Sequence, residues 1–251
     1  MSGDTRAEAP ELEIAELSTG YGKTQILRSV NMRIERGRCV GLIGPNGHGK
    51  TTLLRTVTGM HRRWAGTVTF RGEDVSGWST RRLVRRGIVH VPQGDLLFGD
   101  LTVDEHLIIP LRNVRRRERA TRIAGVYELF PRLGERRGQY ARSLSGGEKR
   151  MLSIARSLQL GAKVMLIDEP SLGLSPLMVE NVYHQIRELA ASGITILIVE
   201  ENPARLRGVA HDVYLLDRGA IAAHLPTEVL LQDASLLGTY LGSTFDSSAG
   251  D

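Results

Sequence analysis

The sequence predicts an α/β protein with a doubly wound, largely parallel sheet between helices. Three observations predict it. The apolar runs Cys39-Val40-Gly41-Leu42-Ile43, Val164-Met165-Leu166-Ile167 and residues 194–199 read as strands buried on both faces. Segments with helical periodicity alternate with them, clearest at 151–158 and Pro176–Ala191. A glycine-rich turn, Gly44-Pro45-Asn46-Gly47-His48-Gly49-Lys50-Thr51-Thr52, joins the first strand to a helix-compatible segment, 51–57.

That turn reads G-x-x-x-x-G-K-T, and strand, loop and helix together make it a phosphate cradle. Its glycines let the backbone approach, so successive N–H groups point inward, and the helix N-terminus adds partial positive charge. Lys50 is the candidate for the β- and γ-phosphates, and the Thr51 hydroxyl for Mg²⁺. The candidate nucleotide-binding residues are Gly44, Pro45, Asn46, Gly47, His48, Gly49, Lys50, Thr51 and Thr52.

A chain of 251 residues, 41% hydrophobic and 24% charged, suits one large or two small globular units. No apolar run is long enough to span a bilayer, and residues 1–10 carry no apolar leader; a cytosolic-side protein is the expectation. A single cysteine, Cys39, excludes a disulfide framework and a zinc site within one chain. It is expected to be a buried, inert thiol. Net charge is +5, and 29 of the 33 basic residues are arginine, clustered at 81–86 and 112–122. These clusters fit solvated helix faces, and they also fit an anionic partner.

In chain order, 12–17 alternates as a strand, is broken by Ser18-Thr19-Gly20, and resumes at 25–34. Tyr21, between them, is an aromatic that either packs or stacks on a purine. Residues 66–70 and 74–75 form a hairpin around Arg71-Gly72, Ser79 caps a short arginine-rich helix, and 87–91 is a strand ended by Pro92. Residues 103–140 turn helical and charged, an inserted module. Helical periodicity returns after Leu144-Ser145-Gly146-Gly147-Glu148, and 164–167 leads into Asp168-Glu169-Pro170. A helix from Ser175-Pro176, the strand 194–199, a helix from about Pro203, a strand 212–216 and a small helical C-terminus close the domain. Residues 1–10 and 243–251 are expected to be flexible.

Asp168 ends a buried strand, where a Mg²⁺-binding carboxylate belongs opposite Thr51. Glu169 is then placed to orient and deprotonate a water. Gln93, at another strand end, reaches the metal or the water. Ser145 sits at a helix N-cap with Glu148 three residues on, a capping box. It is either only a cap or a second anion site; in the latter case two chains pack head to tail and sandwich ATP.

The order of phosphate loop, Gln93, LSGGE and Asp168-Glu169 resembles the nucleotide-binding subunit of ATP-binding cassette (ABC) transporters over about residues 11–242. The resemblance implies an α/β fold with a P-loop NTPase (RecA-like) core, an antiparallel β subdomain and an inserted helical subdomain at about 96–158. It implies ATP and Mg²⁺ as ligands, with Tyr21 stacking on adenine and Gln93 sensing a membrane partner. Ser145, Gly146, Gly147 and Glu148 become the signature loop for the partner's ATP; Thr51, Gln93 and Asp168 the metal set; Glu169, Gln93 and Glu201 the catalytic set. Ser171-Leu172-Gly173-Leu174-Ser175-Pro176, Val199-Glu200-Glu201-Asn202 and Leu236-Leu237-Gly238-Thr239-Tyr240-Leu241-Gly242 are similar to the smaller ATPase subunit of branched-chain amino-acid importers. Some relatives of that group carry urea or short amides.

Two positions depart from the wider family: Ser175 stands where most members have aspartate, and Glu201 where most have a switch histidine. The implied partners are a second ATPase subunit or a second copy, two permease subunits, and indirectly a solute-binding protein, at the cytoplasmic face of the membrane. Leu96, Leu97 and Phe98, after Gln93, form an apolar patch that either docks a permease or packs inward. An exporter ATPase, for example for lipopolysaccharide, shares these motifs. A soluble ABC ATPase acting on ribosomes or DNA is disfavoured because neither a second cassette nor a long coiled-coil insertion is present, so no nucleic acid is expected. No Asn-Lys-x-Asp element for guanine occurs.

Overall fold

Two sheets organise residues 9–94 and 96–233, the part of the chain that the computed structural model describes. The hairpin β1 (Leu12–Tyr21) and β2 (Thr24–Ile34) points Leu12, Ile14 and Leu17 inward. The break expected at Ser18-Thr19-Gly20 does not occur, because β1 runs through these residues to Tyr21. Register shifts between Ile14 and Leu17, Leu17 and Thr19, and Thr19 and Gly20 absorb them as bulges. A Cβ on Gly20 would lie 2.0 Å from the Thr24 carbonyl oxygen, so the bulge requires glycine.

β3 (Cys39–Ile43) is buried throughout, and burial pushes the Cys39 thiol up to about 12, as expected of an inert group. α1 (Lys50–Val57) follows the glycine-rich turn. β4 (Ala65–Phe70) and β5 (Glu73–Asp74) pair across Arg71-Gly72, giving an antiparallel sheet ordered β2-β1-β4-β5. Ser79 stands at the N-cap of α2 (Thr80–Arg86), although its hydroxyl makes no capping bond. β6 (Ile88–Val91) then ends at Pro92.

The charged stretch folds as α3 (Val103–Ile108), α4 (Arg116–Leu129) and α5 (Pro131–Gly134), followed by α6 (Gly146–Gln159). Thr102 and Glu105 close a capping box on α3. β7 (Val164–Asp168), α7 (Pro176–Ala191) and β8 (Thr195–Glu200) follow. The helix expected from Pro203 is a single 3-10 turn, Pro203–Leu206, with Gly208 at φ 65° soon after it. After β9 (Asp212–Asp217) comes an unexpected strand, β10 (Ala220–Pro226), before α8 (Thr227–Gln232). Its small residues alternate too weakly to signal a strand, and its terminal proline is tolerated because β10 lies at the sheet edge. Residues 1–8 and 243–251, and the phrase at 236–242, lie outside the described residues.

The second sheet is ordered β10-β9-β3-β8-β7-β6, parallel except for β10. One apolar core joins it to α6, α7 and the inserted helices; the other joins its opposite face to α1 and the antiparallel sheet. β3, β8, β7 and β6 are consecutive parallel neighbours. Their carboxyl ends therefore bring Gly44, Glu201, Glu169 and Gln93 to one edge, where open α/β sheets bind ligands.

Candidate functional site: a phosphate loop facing two carboxylates

The loop after β3 is shaped by close approach. A Cβ on Gly44 would lie 2.2 Å from the Leu216 carbonyl oxygen, and one on Gly49 would lie 2.6 Å from Leu27 Cδ2. Gly47 and Gly49 hold φ of 81° and 108°, open to glycine and strained for other residues. Gly49 is the N-cap of α1, whose first residues carry unpaired N–H groups. Lys50 folds back over the loop, its Nζ donating to the carbonyls of Gly44 at 2.7 Å and Pro45 at 3.2 Å and to Asn46 Oδ1 at 3.4 Å. Burial holds its ammonium below the usual lysine range, opposed most by Glu169.

A cleft of about 300 Å³ opens over this loop, lined by Tyr21, Ile26, Asn46, Gly47, Gly49, Lys50, Thr51, Thr52 and Glu169. Tyr21 is 48% exposed at the outer end of β1, and its ring lies 4.4 Å from that of His61. His61 Nε2 in turn contacts the Gly20 carbonyl at 3.0 Å. No sequence pattern pointed to His61. A larger cleft, about 490 Å³, lies alongside between the 59–66 loop and Ser76-Gly77-Trp78. It contains no carboxylate, so volume does not mark the chemistry.

Glu169 sits at φ 45°, in the left-handed region, held by its N–H to the Val199 carbonyl at 3.0 Å. Strain of this kind in a non-glycine residue collects at functional positions. It turns the carboxylate towards Lys50, 3.9 Å from Nζ, and Gln93, whose Nε2 donates to Oε2 at 2.9 Å. Burial raises the Glu169 carboxyl; Lys50 opposes the shift and Glu201 adds to it. Glu201 is half-buried just past β8 and acts on both Lys50 and Glu169 through its charge. Gln93, Glu169 and Lys50 thus meet within hydrogen-bond or ion-pair distance, with Glu201 near enough to bias them.

Asp168 is buried beside Thr51, whose hydroxyl favours its ionised form, and its Oδ1 has no hydrogen-bond partner among the described residues. A buried, unpaired carboxylate oxygen beside a threonine hydroxyl fits Mg²⁺, which takes few protein ligands and completes its shell with phosphate and water. Accordingly, no cluster of three or more His, Cys, Asp or Glu with metal-binding spacing occurs among the described residues. Ser145, Gly146, Gly147 and Glu148 do not line the cleft. They form the start of α6, where Ser145 Oγ accepts from Glu148 N–H at 3.3 Å and Glu148 Oε2 accepts from Ser145 N–H at 2.9 Å.

The sequence also gave no sign of the hub at Glu200. This buried carboxylate accepts from Tyr183 Oη at 2.5 Å and from Ser171 N–H at 3.2 Å, and lies 3.5 Å from Arg205. It fixes the turn that follows Glu169.

Burial raises the Asp168 carboxyl as well. A carboxyl raised on folding favours the folded state while protonated and loses that contribution as pH rises through the folded value. At pH 7 the ionised form therefore destabilises the nucleotide-free chain. Asp168→Asn should raise its Tm at pH 7, by about 2–4 °C for each kcal/mol recovered. A melting temperature equal to or below that of the parent would contradict this account.

Comparison with known proteins identifies the family. Residues 27–172 match the family described as ABC transporter. The chain is 37% identical over 231 residues to the high-affinity branched-chain amino acid transport ATP-binding protein BraG of Pseudomonas aeruginosa, covering 92% of this chain and 99% of that one. It is 34% identical over 238 residues to the lipopolysaccharide export system ATP-binding protein LptB of Escherichia coli, covering 93% and 98%. A solved nucleotide-free ATP-binding cassette from an ABC transporter superposes with a TM-score of 0.83 at 25% identity, over 93% of this chain and 99% of that one. With the phosphate loop after β3, and with the buried Asp168 and the strained Glu169 at the end of β7 two strands away in the same sheet, the chain belongs to the ABC transporter ATPase family, whose members hydrolyse ATP.

Proposed function

We propose that this chain powers import of branched-chain or other amino acids, or of urea or short amides, through separate permease subunits. The observation that supports it best is the 37% identity to BraG, spanning 99% of that amino-acid transport protein. Lipopolysaccharide export is a second reading, favoured by the 34% identity to LptB over 98% of its length.

At the site, Tyr21 stacks on adenine and the N–H groups of the loop hold the β-phosphate. Lys50 exchanges its loop carbonyls for phosphate oxygens. Glu169, oriented by Gln93, takes a proton from water as its oxygen bonds the γ-phosphorus and the bond to ADP breaks. Thr51, Asp168 and Gln93 would hold Mg²⁺, which would supply positive charge to offset that of the phosphates. Ser145, Gly146 and Gly147 serve the ATP of an opposed ATPase subunit, a different chain or a second copy.

Among the described residues no helix is long and apolar enough to cross a membrane. In the proposed role the chain works from the cytoplasmic face through permeases, with a solute-binding protein acting on them from the far side. Leu96 and Phe98 are 68% and 64% exposed, while Leu97 packs on the core. Exposed apolar residues beside Gln93 suit the permease contact.

The test is reconstitution with candidate permease subunits. Proteoliposomes should accumulate labelled leucine or a related amide only with internal ATP. Lipopolysaccharide release without solute uptake would reverse the assignment.

A further inference from the structure

We propose that His48 is a positioning residue that moors the phosphate loop to the β9–β10 turn, so that ATP affinity is set partly from outside the cradle. The inference rests on reading residues 44–52 as the ATP site. His48 stands between Gly47 and Gly49, both at positive φ. A Cβ on Gly47 would meet nothing within 4 Å, so packing does not fix this part of the loop. The His48 side chain supplies the missing hold. Its Nδ1 accepts the backbone N–H of Arg218 at 3.1 Å, and Asp217 Oδ1 lies 3.2 Å from the same nitrogen.

The turn at the other end of this tie is rigid. Arg218 and Gly219 both hold positive φ, 44° and 84°. Arg28 N–H donates to the Gly219 carbonyl at 2.7 Å, and a Cβ on Gly219 would lie 1.9 Å from the Ile26 carbonyl oxygen. The same segment meets the start of the loop, where Leu216 crowds Gly44. Residues 216–219 therefore brace the loop at two points, and His48 is the side chain that makes the second.

With the ring proton on Nε2, Nδ1 has the lone pair that accepts the Arg218 N–H. A loop held before ATP arrives loses less freedom on binding, and that difference appears as affinity.

The experiment measures Kd for a fluorescent ATP analogue with Mg²⁺ on the full chain. His48→Ala should weaken binding about three- to ten-fold, the worth of one neutral hydrogen bond, with the loss in KM rather than kcat. His48→Asn, whose Oδ1 can accept from Arg218, should recover binding to within about two-fold of the parent. Hydrogen exchange at the Arg218 amide should quicken in the alanine variant and not in the asparagine variant. Parental affinity in His48→Ala, or equal losses in both variants, would overturn the mooring. Lys50→Ala is the control for the underlying reading: parental binding there would remove the ATP site itself and not the role of His48.

Discussion

Glu169→Gln should leave ATP bound and slow hydrolysis by the purified chain about 10²–10⁴-fold, the usual contribution of a positioned general base. That is about 3–5 kcal/mol of transition-state stabilisation. Binding survives because the loop and Lys50 provide it, and glutamine keeps the shape and an acceptor for the Gln93 Nε2–H that now bonds Oε2. The amide cannot take a proton, so only the chemical step is lost. The parent should also show a limb that the variant lacks. Burial raises the Glu169 carboxyl, and a base works only when ionised. Parental turnover should therefore fall, as pH is lowered, at a value above the ordinary carboxylate range. Phosphate release and equilibrium ATP binding measure the two parts. Hydrolysis at the parental rate would show that Glu169 is not the base.

Strands buried on both faces could be read from the sequence, because continuous apolar runs leave little else for β3, β7 and β8 to be. The phosphate loop was readable for a related reason: glycines at fixed spacing around Lys50 record backbone geometry directly. Where burial is one-sided or weak the reading failed. β1 continues through Ser18-Thr19-Gly20 because bulges, set by pairing with β2, absorb residues that look like a turn. β10 was missed because an edge strand needs little apolar surface. Side-chain partners were the least accessible. The sequence placed Glu169 after Asp168 but could not show its positive φ or its bond to Gln93, which depend on β6, β7 and β8 ending side by side. Glu200 looked like one more acidic residue before Glu201, yet folding buries it under Tyr183 and Ser171.

Gly147→Asp should cost about 10³-fold in turnover when this chain is paired with a second, different ATPase subunit. In the proposed head-to-tail pair the start of α6 faces the partner's γ-phosphate, and Gly147 sits in its first turn. A carboxylate about 4 Å from a phosphate charge costs about 4 kcal/mol at an effective dielectric of 20, or about 10³-fold. Packing is a competing cause, since a Cβ on Gly147 would lie 2.4 Å from Met178 Sδ. Gly147→Ala carries the same Cβ, so the ratio of the aspartate to the alanine variant isolates the charge. In the proposed pair, Glu201 decides which site suffers. It places a carboxylate near Lys50 and Glu169, where most of the family has a histidine, so this chain's own site should be the slower of the two. Glu201→His should then speed the purified chain. In the mixed pair Gly147→Asp should cost more than Glu169→Gln, because the signature loop serves the faster, partner site while Glu169 serves the slow one. Equal losses in Gly147→Asp and Gly147→Ala, with no gain from Glu201→His, would leave a chain that works without a head-to-tail partner of another kind.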